Sequence, residues 1–203
     1  MPEPFFATLF TLSSHHPFVV PEQYASTLPK GYTRIHQGVA YDDLAFRRFF
    51  ERFGQEEWFR RTIFVFVADH VSSEKFADQT RSYPENMHIL AFIHTPDGAL
   101  QGEVTEIAQQ LDLMPTLLGL IGNREPYFAF GRDVLNEPLY PRWSVSYDGQ
   151  FRALTDRGPL LLNDAGAPVS PTIPDADTLT MRFQALLQQY YGHIENKNYT
   201  VHD

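Results

Sequence analysis

Residues 62 to 70 read TIFVFVADH, an apolar run that ends in Asp69 and His70. A carboxylate beside a neutral imidazole is a good donor pair for a divalent cation such as zinc or manganese, and neighbouring residues at an irregular strand exit can turn toward one ion. Taken alone, the dipeptide fits a plainer role better, with Asp69 capping the following turn and His70 an ordinary loop residue. A second set of polar groups stands in SSHHP, where His15 or His16 could serve as metal ligand, general acid or phosphate contact, because imidazole exchanges a proton near neutral pH. Paired histidines in a loop are also often simply solvated. His88 and His94 flank another apolar stretch: the first reads as structural, the second as a weaker candidate near a strand exit. Asp112 reads as a helix cap, and Asp42 and Asp43 as carboxylates at the positive end of a helix dipole. There is no cysteine, so thiolate nucleophiles, disulfides and Cys-type zinc sites are excluded and metal chemistry rests on His and carboxylates. No Gly-rich phosphate loop and no G-x-S-x-G elbow is present.

These side chains need elements to hold them. FFATLFTL, Phe5 to Leu12, is β-branched and aromatic enough for a short buried strand feeding the SSHHP loop. From Ala40 to Gly54, AYDDLAFRRFFERFG places Leu44, Phe46, Phe49, Phe50 and Phe53 mostly on one helical face, with Gly54 as a stop. TIFVFVADH shows no alternation, the pattern of a strand covered on both faces in a parallel or mixed sheet. A polar loop over Val71 to Met87 leads to a second strand in HILAFIHTP, His88 to Pro96. In LDLMPTLLGLIG, Asp112 precedes a short buried helix with Pro115 in its first turn and Gly122 at its end. Trp143 to Leu162 reads as a small antiparallel meander with turns at YDGQ and DRGP, and Pro174 to about Asn196 as a helix. In open α/β sheets ligands bind beyond the carboxyl ends of strands, which is where Asp69 and His70 and the histidine pair fall.

Size and charge bound the rest. The chain has 203 residues, 43% hydrophobic and 14% aromatic, enough for a real core in one compact unit. Its net charge of −9, with Lys and Arg scattered, argues against nucleic acid or an anionic membrane as main partner. No stretch approaches the ~18 to 20 apolar residues of a membrane span, and the start lacks a signal-peptide signature.

The order of the pieces is more specific than any one of them. FFATLFTLSSHHPF, YDDLAFRRFF, TIFVFVADH, HILAFIHTPDG, QQLDLMPTLLGLIG and YFAFGRDVL, in that order, resemble the C-terminal half of the lipoteichoic acid synthase-like sulfatases of the alkaline phosphatase superfamily. The closing ALLQQYYGHIENKNYT resembles the terminal helix of Gram-negative members. The resemblance implies that Asp69 and His70 hold a single divalent cation, manganese above zinc, magnesium or calcium. It implies that His15, the fifth residue of TLSSHHPF, contacts a phosphate or sulfate group, with His16 as the spare. It leaves Asp112 a cap, in the family's Asp-x-x-Pro-Thr helix. Ile89-Leu90 departs from the family's usual Ile-Pro or Val-Pro.

In the family a nucleophilic Thr, or a modified Cys or Ser, and a further carboxylate ligand lie in an N-terminal half that precedes these motifs. The expectation is therefore the metal-site half of a sulfatase-like hydrolase or phosphoglycerol transferase, inactive by itself and acting, in a longer enzyme, on phosphate or sulfate esters that are lipid- or glycan-linked. The parent would be anchored in the inner membrane with this part in the periplasm. The alternative is a non-catalytic relic or binding module whose strand-end cleft takes an anion or a partner. The expected fold is α/β, a partly parallel central sheet flanked by helices over residues 1–140, with a small antiparallel meander and a terminal helix over 141–203. Apolar surface left uncovered by the missing half would favour self-association.

Overall fold

A computed structural model describes residues 4–72, 74, 82–136, 142–169 and 173–198. The chain divides into two compact units, Met1–Gln101 and Gly102–Asp203.

The first unit contains α1 (Glu22–Ala25), α2 (Arg34–Phe53), α3 (Glu57–Arg60), β1 (Phe64–Val67) and β2 (Ala91–His94). The helix expected from Ala40 begins earlier, at Arg34. Thr33 caps it with His36 standing where a capping box usually has Glu: the Thr33 N–H donates to His36 Nδ1 at 3.2 Å. Asp42 and Asp43 therefore lie mid-helix rather than at its positive end, and Asp43 pairs with Arg47 one turn on, at 3.2 Å on the exposed face.

The apolar face of α2 meets β1 through stacked aromatics. Phe46 lies edge-on to Phe66 at 5.1 Å, Phe50 packs on Phe64 at 5.4 Å, and Phe59 of α3 on Phe64 at 4.6 Å. Phe64 and Phe66 are two residues apart and so share the strand face that α2 covers. The strand pairing differs from expectation: β1 and β2 run antiparallel, with Phe66 opposite Phe92 and Phe64 opposite His94. Phe66 and Phe92 stack at 4.6 Å and 14°, the cross-strand contact that sets this register. The other face carries Val67, 42% exposed, so the run that reads as doubly covered has one cover among the described residues.

The Phe5 to Leu12 strand is a correction. These residues have no strand assignment, and Phe6 and Leu9 are 89% and 83% exposed. A strand is stable only when its N–H and C=O groups join a ladder, and among the described residues none is offered to this stretch. The partly parallel sheet expected of this fold is likewise not formed among the described residues; both sheets are antiparallel. Of the polar loop expected over 71–87, residues 73 and 75–81 lie outside them.

The second unit holds a 3-10 turn (Gln110–Asp112), α4 (Leu113–Leu120), β3 (Trp143–Tyr147), β4 (Phe151–Thr155), β5 (Gly158–Leu162) and α5 (Ala176–Asn196). The meander forms as the sequence predicts, in the order β3-β4-β5, with Gly149 at φ 65° in the first turn where a Cβ would be strained. Its core is Ala153, Leu160, Leu162 and Ile173 closed by Leu179 and Phe183 of α5.

Asp112 is buried and does more than the cap expected of it. Its two oxygens accept from the backbone N–H of Gln109 and of Arg132, each at 3.0 Å, so it ties the 3-10 turn to the GRD loop, and it makes no side-chain bond to the first turn of α4. Thr116 extends the knot, donating to the Asp112 carbonyl at 2.7 Å and accepting from Val134 N–H at 3.1 Å. Gly131 allows the approach, since a Cβ there would lie 1.9 Å from the Leu111 carbonyl oxygen.

Burial pushes the Asp112 carboxyl above its ordinary value near 3.8, against the lowering effect of the two N–H groups and of Arg132. The folded chain therefore holds this proton more tightly than the unfolded chain, and stability falls as pH rises from 3.8 through the raised value. Denaturant melts across that range are expected to show wild type losing ground to Asp112→Asn as pH rises, then a constant gap. A gap independent of pH throughout would overturn the assignment. Above the window wild type is expected to remain the more stable, since the amide introduced by Asp112→Asn would turn one donor toward a backbone N–H, at about 1–3 kcal/mol.

Candidate functional site

The end of β1 sets Asp69. The ladder runs one residue past the strand, Ala68 N–H donating to the Leu90 carbonyl at 2.9 Å, and Asp69 comes next. Its Oδ1 accepts from His70 N–H at 2.9 Å, so the turn-capping role that the dipeptide favours on its own is present. Its Oδ2 lies 3.5 Å from His70 Nε2. His70 Nδ1 is 2.8 Å from the Val71 carbonyl, and because a carbonyl only accepts, Nδ1 carries the hydrogen and Nε2 keeps its lone pair in the neutral ring.

That arrangement suits a cation. Two ligands each ~2.1 Å from one ion stand roughly 3.0–3.5 Å apart in octahedral or tetrahedral geometry, and the Oδ2–Nε2 separation falls at the wide end of that range. A backbone carbonyl fixing the tautomer is the usual partner of a ligating imidazole. Both side chains are more than half exposed, so the rim is open to solvent and to further ligands. Among the described residues no group of three or more His, Asp or Glu gathers around them.

His15 and His16 lie in the turn after Leu12. His15 N–H donates to the Leu12 carbonyl at 3.0 Å and Phe18 N–H to the His15 carbonyl at 2.7 Å. Both rings are exposed and line one open cavity of about 310 Å³ with Leu12, Ser13, Pro17 and Val19. His15 Nδ1 is 2.8 Å from the His16 carbonyl, which again places the hydrogen on Nδ1 and directs the chemistry to Nε2. Asp69 and His70 are not among the residues that line this cavity. Phe18 sits at φ 59°, a left-handed conformation that costs a bulky residue about 1–3 kcal/mol and recurs at functional loops.

The remaining candidates are structural. His94 is half-buried against Phe50 at 5.4 Å and Phe64 at 6.2 Å, a member of the aromatic core, and His88 is exposed at the end of a short 3-10 turn. Sequence reasoning missed two residues of α2 that touch the histidine loop's surroundings. Gly38 is buried with the Ser13 carbonyl above it, and Gln37 Nε2 donates to the Ala25 carbonyl at 2.8 Å. Neither carries a motif; Gly38 stands in the second turn of α2, where a glycine weakens a helix unless something must come close.

In this unit, then, a helix packs on a strand whose carboxyl end carries an Asp-His donor pair. The sulfatase family model matches residues 2–123, and the chain belongs to the sulfatase family. Among curated proteins it is 26% identical over 174 residues to the lipoteichoic acid synthase-like protein YvgJ of Bacillus subtilis (strain 168), covering 74% of this chain and 28% of that one. It is 28% identical over 153 residues to lipoteichoic acid synthase 1 of the same organism, covering 66% of this chain and 24% of the relative. The chain thus spans about a quarter of the length of these relatives. No solved structure matches it. Among the described residues no helix is long and apolar enough to cross a membrane.

Proposed function

We propose that this chain is the metal-site part of a longer sulfatase-like hydrolase or phosphoglycerol transferase acting on phosphate or sulfate esters. The observation that carries the proposal is the donor pair at the end of β1, Asp69 Oδ2 and His70 Nε2 at 3.5 Å with the tautomer held by Val71, in a chain of the sulfatase family. Asp69 and His70 hold one divalent cation, manganese first, with water and groups from the rest of the enzyme completing its shell. Such an ion polarises an ester oxygen and neutralises developing charge. His15 contacts the phosphate or sulfate group, and His16 lines the same cavity as its spare. The nucleophile and a further carboxylate come from the N-terminal part of the parent protein, and strands from that part extend β1 and β2 into a larger, partly parallel sheet. The names of the relatives favour a lipid- or glycan-linked ester. The likeness of the terminal helix to Gram-negative members favours a membrane-anchored parent with this part in the periplasm.

His15 supplies a direct test. With Nδ1 donating to the His16 carbonyl, Nε2 donates to an anion only in the imidazolium form. Inorganic sulfate, a dianion across the neutral range, is therefore expected to bind there, with the His15 ring resonances reporting it. His15→Ala is expected to remove that binding and to cut turnover of the complete reading frame in a manganese-dependent phosphodiesterase or sulfatase assay, with manganese content intact. A larger loss from His16→Ala would exchange the two roles. A complete reading frame that binds sulfate but turns over no ester would favour the binding-module alternative.

A further inference from the structure

We infer that Gln37 and Gly38 are positioning residues for His15, holding the histidine loop from its two sides through the first turns of α2. The inference rests on the anion-contact role proposed for His15 and goes beyond it, to what sets that side chain in place.

The geometry is specific. Gly38 is the buried residue of α2, and an added Cβ would meet the Ser13 carbonyl oxygen at 2.2 Å and the Ser13 carbonyl carbon at 2.9 Å. Both are backbone atoms, so no side-chain rotation relieves the clash, and the loop would have to move. Ser13 and Ser14 immediately precede His15, and the backbone turn that follows is set from Leu12 by the His15 N–H bond. A shift at Ser13 is therefore passed to the imidazole within two residues.

On the far side of the loop, Gln37 Nε2 donates to the carbonyls of Ala25 and Leu28, at 2.8 and 3.4 Å. Arg48, three turns along α2, adds a bond from its guanidinium to the Tyr24 hydroxyl at 2.8 Å. The segment from Ser13 to Leu28 thus meets one helix at both ends, by close backbone approach at Gly38 and by hydrogen bonds at Gln37 and Arg48, with the two histidines between. The left-handed Phe18 within it is consistent with a loop held by its surroundings rather than relaxed to its own preference.

Helix propensity makes the glycine informative. On an exposed helical face Gly→Ala stabilises by about 1 kcal/mol. At Gly38 the same change must displace backbone, so the residue is kept for the close approach and against its own propensity.

The test uses the chain itself, with two readouts on the His15 ring. Imidazole ¹H–¹⁵N spectra without ligand report the ring's place, and titration with inorganic sulfate reports anion binding. Gly38→Ala is expected to move the His15 resonances and to weaken sulfate about tenfold, as misplacement by a fraction of an ångström to an ångström does, while the His70 resonances and the response to added Mn²⁺ stay as in wild type. Gln37→Ala is expected to act in the same direction with smaller size. Val39→Ala, on the exposed side of the same helix, is expected to change neither readout.

Should Gly38→Ala fail to fold, Gln37→Ala decides with the same spectra. A folded variant of either kind whose His15 resonances match wild type would overturn its assignment. Equal disturbance of His15 and His70 would mean a general loss of packing and would overturn positioning as well. Failure of wild-type His15 to respond to sulfate would instead sink the anion-contact role, leaving the ligand-free spectra to decide positioning.

Discussion

Asp69→Ala is expected to strip the chain of bound Mn²⁺ and to stop turnover by the complete enzyme, without a comparable loss of stability. The side chain is more than half exposed at the end of β1, and one bond it accepts comes from the next residue's N–H, so the aromatic packing of the unit does not depend on it. Its effect on a cation is large for the opposite reason. His70 stands beside it as a second donor at 3.5 Å, no third joins them among the described residues, and a single imidazole does not retain a hard divalent ion against water. Loss of an outer partner of a metal ligand already lowers affinity about 10–100-fold, and loss of a carboxylate ligand is expected to exceed that. Calorimetric titration with Mn²⁺ of wild type, Asp69→Ala and Asp69→Asn measures it. Asp69→Asn keeps one oxygen but no charge and is expected to fall between the other two. Unchanged Mn²⁺ affinity in Asp69→Ala would sink the metal assignment, and with it the central support for the proposed function.

How far the sequence carries this depends on what each element needs from outside itself. The meander and α5 are local: turn residues at Gly149 and Gly158 and the spacing of Leu179, Phe183 and Leu186 are sufficient to define them, and they form as expected. TIFVFVADH is legible as a strand with a polar end, but an apolar run does not encode the direction of its neighbour, and the antiparallel pairing with β2 is set by Phe66 opposite Phe92. The Phe5 to Leu12 run has the composition of a strand and no ladder to join among the described residues, so composition alone overstates it. The start of α2 was hidden because His36 replaces the usual acidic capping-box partner and Gly38 lowers the helical signal where the loop approaches. At the site, Asp69, His70 and the histidine pair were visible because their chemistry is in their types. Gln37 and Gly38 were not, because a residue that acts by what it lacks, or by reaching a carbonyl twelve residues away, leaves no motif.

Phe183→Ala is expected to cost about 3–5 kcal/mol, the range for emptying a fully enclosed aromatic site. Phe183 is wholly buried where α5 crosses the meander, among Ala153, Leu160, Leu162, Ile173 and Leu179, with Trp143 at 6.0 Å and Phe151 edge-on at 6.5 Å. The surrounding groups are held in a three-stranded register and in a 21-residue helix, so they cannot collapse to fill the space. Such a loss is a large fraction of the about 5–15 kcal/mol that keeps a domain folded. Leu9→Ala removes a side chain of similar apolar character, yet at 83% exposure it has little contact to lose and is expected to change stability by no more than about 0.5 kcal/mol. Urea melts followed by tryptophan fluorescence, with a Trp58→Phe background leaving Trp143 as the reporter, measure both. A Phe183→Ala cost below about 1 kcal/mol would mean that the meander and α5 do not share one core. A Leu9→Ala cost approaching that of Phe183→Ala would mean that the Phe5 to Leu12 stretch is covered after all, most simply by a second copy of the chain, and a melt that depends on protein concentration would then identify the cover.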